Sequence, residues 1–137
     1  PACAALGLDM HLPPQVSPRP YTDLAFQSWY FAREQGAGDA FYERVFRAYF
    51  QEERDIGDIG VLCALARDVG LDAAALGRAL EEGSYASAVE RDTDETASGL
   101  EICMVPTLVC GTHRLEGFVP DVETLANWLE EIEKEDA

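Results

Sequence analysis

The sequence predicts an α/β fold in which five helices lead into a two-stranded hairpin and one closing helix. Three observations carry this reading. Across residues 20–99, apolar side chains recur every three to four positions, which is the helical period. Ile102 to Gly111 instead holds β-branched and apolar residues that run out of a Val-Pro bond and stop at a glycine turn. Residues 121–135 then return to helical spacing.

Residues 1–19 read as a connector. Leu12-Pro13-Pro14 and Ser17-Pro18-Arg19-Pro20 hold it extended, because each proline also biases its predecessor away from helix. Pro20 or Tyr21 starts the first helix, which runs to about Gln35 and stops at Gly36. Leu24, Ala25, Trp29 and Ala32 form its apolar face, with Phe26 and Phe31 at the margins. Residues 39–52 give the cleanest amphipathic pattern. Phe41, Tyr42, Val45, Phe46, Tyr49 and Phe50 make a stripe expected to be core, opposite Glu43, Arg44, Arg47 and Gln51.

Asp58 is placed to cap a helix over about 59–69 that buries Ile59, Leu62, Leu65, Ala66 and Val69 and closes at Gly70. Asp72 caps the next, with Ala75, Leu76, Ala79 and Leu80 inward and Gly83 at its end. Ser84 opens a polar fifth helix reaching about Ser98, whose Asp, Glu and Thr content weakens it. In the hairpin, Pro106 must open the first strand, since proline donates nothing to a ladder, and the Val105-Pro106 bond is a candidate for cis. Arg114 to Phe118 folds back beside it. Val122, Leu125, Leu129 and Ile132 form the inner stripe of the last helix, which is expected to cover the hairpin. Two strands alone rarely make a stable sheet.

The 137 residues suit one domain, and an apolar fraction of 47% with 13 Trp, Tyr and Phe residues argues for a folded core. No apolar run reaches membrane-spanning length, and the first residues lack the basic region of a signal peptide. A net charge of −16, with Lys134 the single lysine, repels phosphate backbones and so excludes nucleic acid as a partner. Apart from Glu130 to Asp136, the acids are spread over helix faces as a solvated surface.

Cys3, Cys63, Cys103 and Cys110 include no Cys-x-x-Cys pair, so no redox dithiol or zinc knuckle is readable locally. Four cysteines without an export signal fit a reducing, cytoplasmic setting. Cys103 and Cys110 bracket Pro106, with His113 close behind. An extended stretch of that length spans roughly 20 Å at about 3.3 Å per residue, too far for a disulfide. Cys63 and Cys110 sit in apolar patterns and read as small core residues. Cys103, in the loop, is the one thiol offered as a catalytic candidate; a metal site has too few ligands here. His113 and His11 read as exposed.

Three passages resemble the DsbA-like thioredoxin-fold family, in the branch that includes dithiol-disulfide isomerases, 2-hydroxychromene-2-carboxylate isomerases and kappa-class glutathione transferases. Val45-Phe46-Arg47-Ala48-Tyr49-Phe50, with Asp55-Ile56-Gly57-Asp58 and Val61-Leu62, is similar to the family's helical insertion. Gly70-Leu71-Asp72 is similar to the hinge between two insertion helices. Val105-Pro106-Thr107-Leu108-Val109, with Gly111 and Gly117, is similar to its cis-proline loop and closing hairpin.

The resemblance implies a truncated thioredoxin-like fold of DsbA type, one partial domain over 1–137. Its parts are the connector 1–19, an insertion over about 20–99, and the loop, hairpin and last helix over about 100–137. It implies thiol–disulfide exchange on protein or small thiol substrates, with Val105, Pro106 and Thr107 binding substrate. The strand–helix–strand unit carrying the family's Cys-x-x-Cys is not matched in this chain. Activity by the chain alone is therefore not expected.

Two alternatives stand beside that reading. A non-catalytic assembly module would complete its sheet with a second copy or a partner chain at the bare edge of Thr107 to Cys110. A glutathione-linked isomerase or transferase remnant would hold glutathione against Val105-Pro106. No other cofactor and no metal is expected.

Overall fold

Asp58 and Asp72 begin two helices for the reason their side chains suggest. The Asp58 carboxylate accepts from the Val61 amide at 2.8 Å, and that of Asp72 accepts from Ala74 and Ala75 at 2.9 and 3.0 Å. Each satisfies amide groups that a helix start leaves without intrahelical partners. Gly70 and Gly83, at φ of 79° and 65°, end the same two helices. In this computed structural model the described residues are 7, 9–95, 99, 101–118 and 120–135, without the side chain of residue 135.

The elements run α1 (Asp23–Glu34), α2 (Gly38–Phe50), α3 (Ile59–Asp68), α4 (Ala73–Glu81), α5 (Ala86–Asp94), β1 (Thr107–Cys110), β2 (His113–Glu116) and α6 (Val122–Glu135). They fall into two compact units, Pro1–Asp92 and Thr93–Ala137, so the division lies within α5.

In the first unit, α1 packs against α2, α3 and α4, and the last three pack in sequence order. Phe31, Ala32, Phe41, Val45, Ala48, Ile56, Leu62, Leu65, Ala66, Leu76 and Leu80 fill the space between them. Leu62 and Leu65 are completely buried, as the spacing predicts. Gly77 lets α4 approach α3 closely, for a Cβ there would lie 3.3 Å from the Cys63 sulfur. Arg44 joins three parts of the unit: it meets Glu52 and Asp68 at 2.9 Å each. Burial opposes its charge, but the hydrogen bonds with Glu52 and Asp68 outweigh it and hold the guanidinium pKa above its usual value.

Two helix faces differ from expectation. On α1, Phe31 is core rather than margin, and Tyr30 is buried while Phe26 is exposed. Tyr30 can sink because its hydroxyl donates to the Asp92 carboxylate, which satisfies the one polar atom of the ring. On α2, only part of the six-residue stripe is core. Phe41 and Val45 are buried, joined by Ala48, whereas Tyr42 is 52% and Phe46 46% exposed. Six positions at 41, 42, 45, 46, 49 and 50 cover about half the circumference at 3.6 residues per turn, wider than the face one neighbouring layer can cover. The side nearer Phe41 faces the core. The other side carries aromatic rings into solvent.

The fifth helix is shorter in its described part than residues 85–98, ending at Asp94, and none of its residues is buried. Tyr85 lies in the turn before it. Its hydroxyl donates to Glu34 on α1 at 2.5 Å, and its ring stacks on that of Tyr30 with centroids 6.4 Å apart. The Glu34 carboxylate, with some burial, pushes the Tyr85 phenol up to about 12.

In the second unit, β1 and β2 form an antiparallel hairpin, pairing Thr107 with Glu116 and Cys110 with His113. The inner stripe expected for α6 is only partly inward. Ile132 is buried and Leu125 half-buried, but Val122 is 86% exposed and Leu129 is exposed as well. A two-stranded ribbon offers too little surface to cover a four-turn helix. Asp121 starts α6 by accepting from the Thr124 amide at 2.8 Å.

Candidate functional site

The site is the loop 101–106 and the strand it feeds. Proline at 106 has no amide proton for the ladder, so pairing starts one residue later, at Thr107. The Val105-Pro106 bond is cis, as are Leu12-Pro13 and Ser17-Pro18. Short polar links hold the loop's shape. Thr107 donates its hydroxyl to the Met104 carbonyl at 2.6 Å, and the Gly117 amide donates to the Pro106 carbonyl at 3.0 Å. Arg114 reaches from β2 to the Glu101 carbonyl at 3.3 Å and to the Glu116 carboxylate at 3.5 Å. Glu101 itself sits at a φ of 50°, in the left-handed region.

Held this way, the loop offers backbone outward. Val105 is 86% exposed, and its peptide groups have no hydrogen-bond partner among the described residues. Along β1 the pairing register has the same consequence. A two-residue turn closes on a hydrogen-bonded pair, so Cys110 with His113 and Leu108 with Leu115 exchange bonds across the hairpin. Thr107 and Val109, between them, direct their N–H and C=O groups to the opposite edge. Among the described residues no strand occupies that edge. Thr107 and Val109 thus present alternate peptide groups along one edge of β1, with the exposed Val105 just before them across the cis bond, and such an edge can accept an extended chain. The structure brings Val105, Pro106 and Thr107 together with this edge.

The cysteines divide. Cys103 is exposed two residues before Val105, and its thiol points to the Glu101 carbonyl at 3.6 Å. Cys110 is exposed at the end of β1, not a core residue as its apolar neighbours suggest, because among the described residues of its unit no layer covers that part of the hairpin. Cys63 is partly buried in α3, where burial pushes its thiol pKa up and makes it a poor thiolate. All three are free thiols, and Cys3 lies outside the described residues. Among the described residues no three His, Cys, Asp or Glu side chains are grouped to hold a metal ion. His11 pairs with Glu53 at 3.4 Å, remote in sequence from the loop. No described helix is long and apolar enough to cross a membrane.

The sequence reading did not single out Arg114, and it named Val109 only within the motif from Val105 and the edge from Thr107 to Cys110. Arg114 acts on a carbonyl thirteen residues earlier, which no local pattern announces. Val109 could have been found by counting back from the Gly111-Thr112 turn, since the register sets which residues face out.

Comparison with known proteins adds the lineage. The family description "DSBA-like thioredoxin domain" matches residues 2–132. The chain is also 40% identical over 117 residues to YwbO of Bacillus subtilis (strain 168), itself uncharacterized. That match takes in 85% of this chain and 58% of YwbO, so the chain spans little more than half the length of this relative. Loop, hairpin and insertion helices all lie inside the matched residues, and the chain belongs to the DSBA-like thioredoxin-domain family.

Proposed function

We propose that this chain serves thiol–disulfide exchange by holding an extended polypeptide along Val105, Pro106 and Thr107. The observation that supports this is the outward backbone of Thr107 and Val109, next to the exposed Val105, at a β1 edge that no strand occupies among the described residues. Backbone pairing gives affinity without demanding a particular sequence, which suits a protein that meets many cysteine-containing chains. The attacking thiolate is assigned to a further segment or polypeptide, because none of the described cysteines stands at a helix start that could stabilise its thiolate. Cys103 is the one candidate within the chain, exposed next to the loop. A reducing, cytoplasmic setting fits the free thiols at 63, 103 and 110.

The test is an amide-resolved NMR titration with carboxymethylated insulin B chain, an extended peptide without reactive thiols. Shifts confined to Val105, Thr107, Val109 and their neighbours are expected; no shift at these residues sinks the proposal. The open edge also favours a second reading, a non-catalytic module that completes its sheet with another chain or a second copy. An insulin-reduction assay separates the two for this chain. Turnover that is lost on Cys103→Ser assigns the thiol here, while activity surviving replacement of each cysteine in turn removes a thiol mechanism from it.

A further inference from the structure

The hairpin register places one acid and one base behind the open edge of β1. Thr107 lies opposite Glu116, and Val109 lies opposite Arg114. Directly opposed residues share a face of the sheet, as do residues two apart on one strand. Thr107, Val109, Arg114 and Glu116 therefore stand on one face, with Leu108, Cys110, His113 and Leu115 on the other. A side chain that a guest strand adds to the first face meets Thr107 or Val109 next, and β2 beyond.

The two places differ in charge. At Thr107 the near side chain is short and uncharged, and its hydroxyl is already engaged by the Met104 carbonyl at 2.6 Å. Behind it stands Glu116. Neighbouring strands lie about 4.8 Å apart, so a guest strand and β2 are separated by roughly 10 Å across β1. A lysine or arginine stem spans that gap over a small residue and brings its cation to the Glu116 carboxylate. A guest glutamate at the same place meets a like charge. At Val109 the branched side chain offers apolar contact, and Arg114 behind it repels a guest cation.

Arg114 does not cancel Glu116. Its contact with the Glu116 carboxylate is long, at 3.5 Å, and the same nitrogen donates to the Glu101 carbonyl at 3.3 Å. Both side chains are about one-third exposed, so the pair is weak and a guest cation can join it. In Thr93–Ala137 the other base is Lys134, paired with Glu130 at 3.7 Å, while Glu101, Asp121 and Glu123 add negative charge. The field of this unit favours the same guest.

We infer that Glu116 selects the guest of this edge: an extended cationic chain with lysine or arginine opposite Thr107 and an apolar residue opposite Val109. An antiparallel guest exchanges both hydrogen bonds of each outward residue with a single partner, so its two selected residues stand two apart, the apolar one first. Glu116 touches the substrate chain and leaves the reacting sulfur to other groups. The inference rests on the reading that β1 takes an extended chain, and it names the kind of chain.

Three thiol-free peptides test it, each alternating threonine and valine and differing at one central position: lysine, glutamine or glutamate. Binding is followed through the amide shifts of Thr107 and Val109. At low salt the lysine peptide should bind about five- to ten-fold tighter than the glutamate peptide, with added salt narrowing the gap. Equal binding by all three overturns the inference and leaves the edge as an unselective site. No shift with any peptide overturns the reading of the edge itself, and the inference with it.

Glu116→Gln should bring the lysine and glutamate peptides to within about two-fold of each other. Glu131→Gln removes the same charge from α6 and should keep the preference. Loss of the preference in both variants, or in neither, overturns the role of Glu116. A last measurement uses the parent chain, whose fold no substitution disturbs. The Glu116 side-chain carboxylate carbon should shift with the lysine peptide and not with the glutamine peptide. An unmoved carbon overturns the inference.

Discussion

The Met104 thioether lies over Gly117, where an added Cβ would come within 2.9 Å of the sulfur. The glycine also holds a φ of 83° and donates its amide to the Pro106 carbonyl. One position thus closes the hairpin and shapes the loop. Gly117→Ala meets both the side chain and the backbone preference, and a residue with a Cβ pays about 1–2 kcal/mol in the left-handed region. The expected result is a local loosening of residues 101–117, read as faster amide hydrogen exchange at Thr107 and Gly117, with α1 to α4 unchanged.

The two sides of α2 and the centre of α3 predict opposite outcomes for two substitutions. Leu62 is completely buried among the helices of the first unit. Leu62→Ala should cost about 2–5 kcal/mol, the range for opening a cavity in a packed core. Phe46→Ala removes a larger side chain but one 46% exposed, and should cost less than ~1 kcal/mol. Urea denaturation of both variants checks the order; equal losses would mean that the stripe is core after all.

Tyr85 and Glu34 make alkaline stability predictable in sign. The phenol is raised from 10.0 to about 12, so its hydrogen-bonded, protonated form favours the folded state. That contribution is fully present below pH 10 and is lost as pH rises through about 12. Tyr85→Phe should therefore flatten the alkaline limb of a stability-against-pH curve between those values. Phenolate absorbance should lose one late-ionising step in Tyr85→Phe relative to the parent chain.

Asp72 gives the opposite sign at low pH. Its carboxylate, accepting from the Ala75 and Ala74 amides, is held below the ordinary value of 3.8. A depressed acid stabilises the fold above its unfolded value, and the effect fades as pH falls below 3.8. Asp72→Asn keeps an acceptor oxygen without the titration. It should lose less stability than the parent over the same acid range, followed by circular dichroism.

Local chemistry is the part of this protein that could be read without coordinates. Asp58 and Asp72 are caps because a carboxylate beside a helix start finds free amides within three residues. Pro106 marks the start of β1 because proline withholds a ladder donor wherever it stands. Gly117 could be noted as a turn residue, but its contact with Met104 spans thirteen positions and has no local signature.

The stripe on α2 and the last helix show where such reading ends. Periodicity says that Tyr42, Phe46, Val122 and Leu129 lie on apolar faces; it does not say how many layers are present to cover them. Burial needs a second surface at the right distance, and that is a property of the assembled chain. The sequence by itself determined the helices, their caps, the proline-led strand and the family to which they belong. Tertiary structure decided which side of α2 faces the core and that Cys110 is exposed. It also decided which backbone groups of β1 point away from β2, because burial and pairing are relations between segments that no single segment contains.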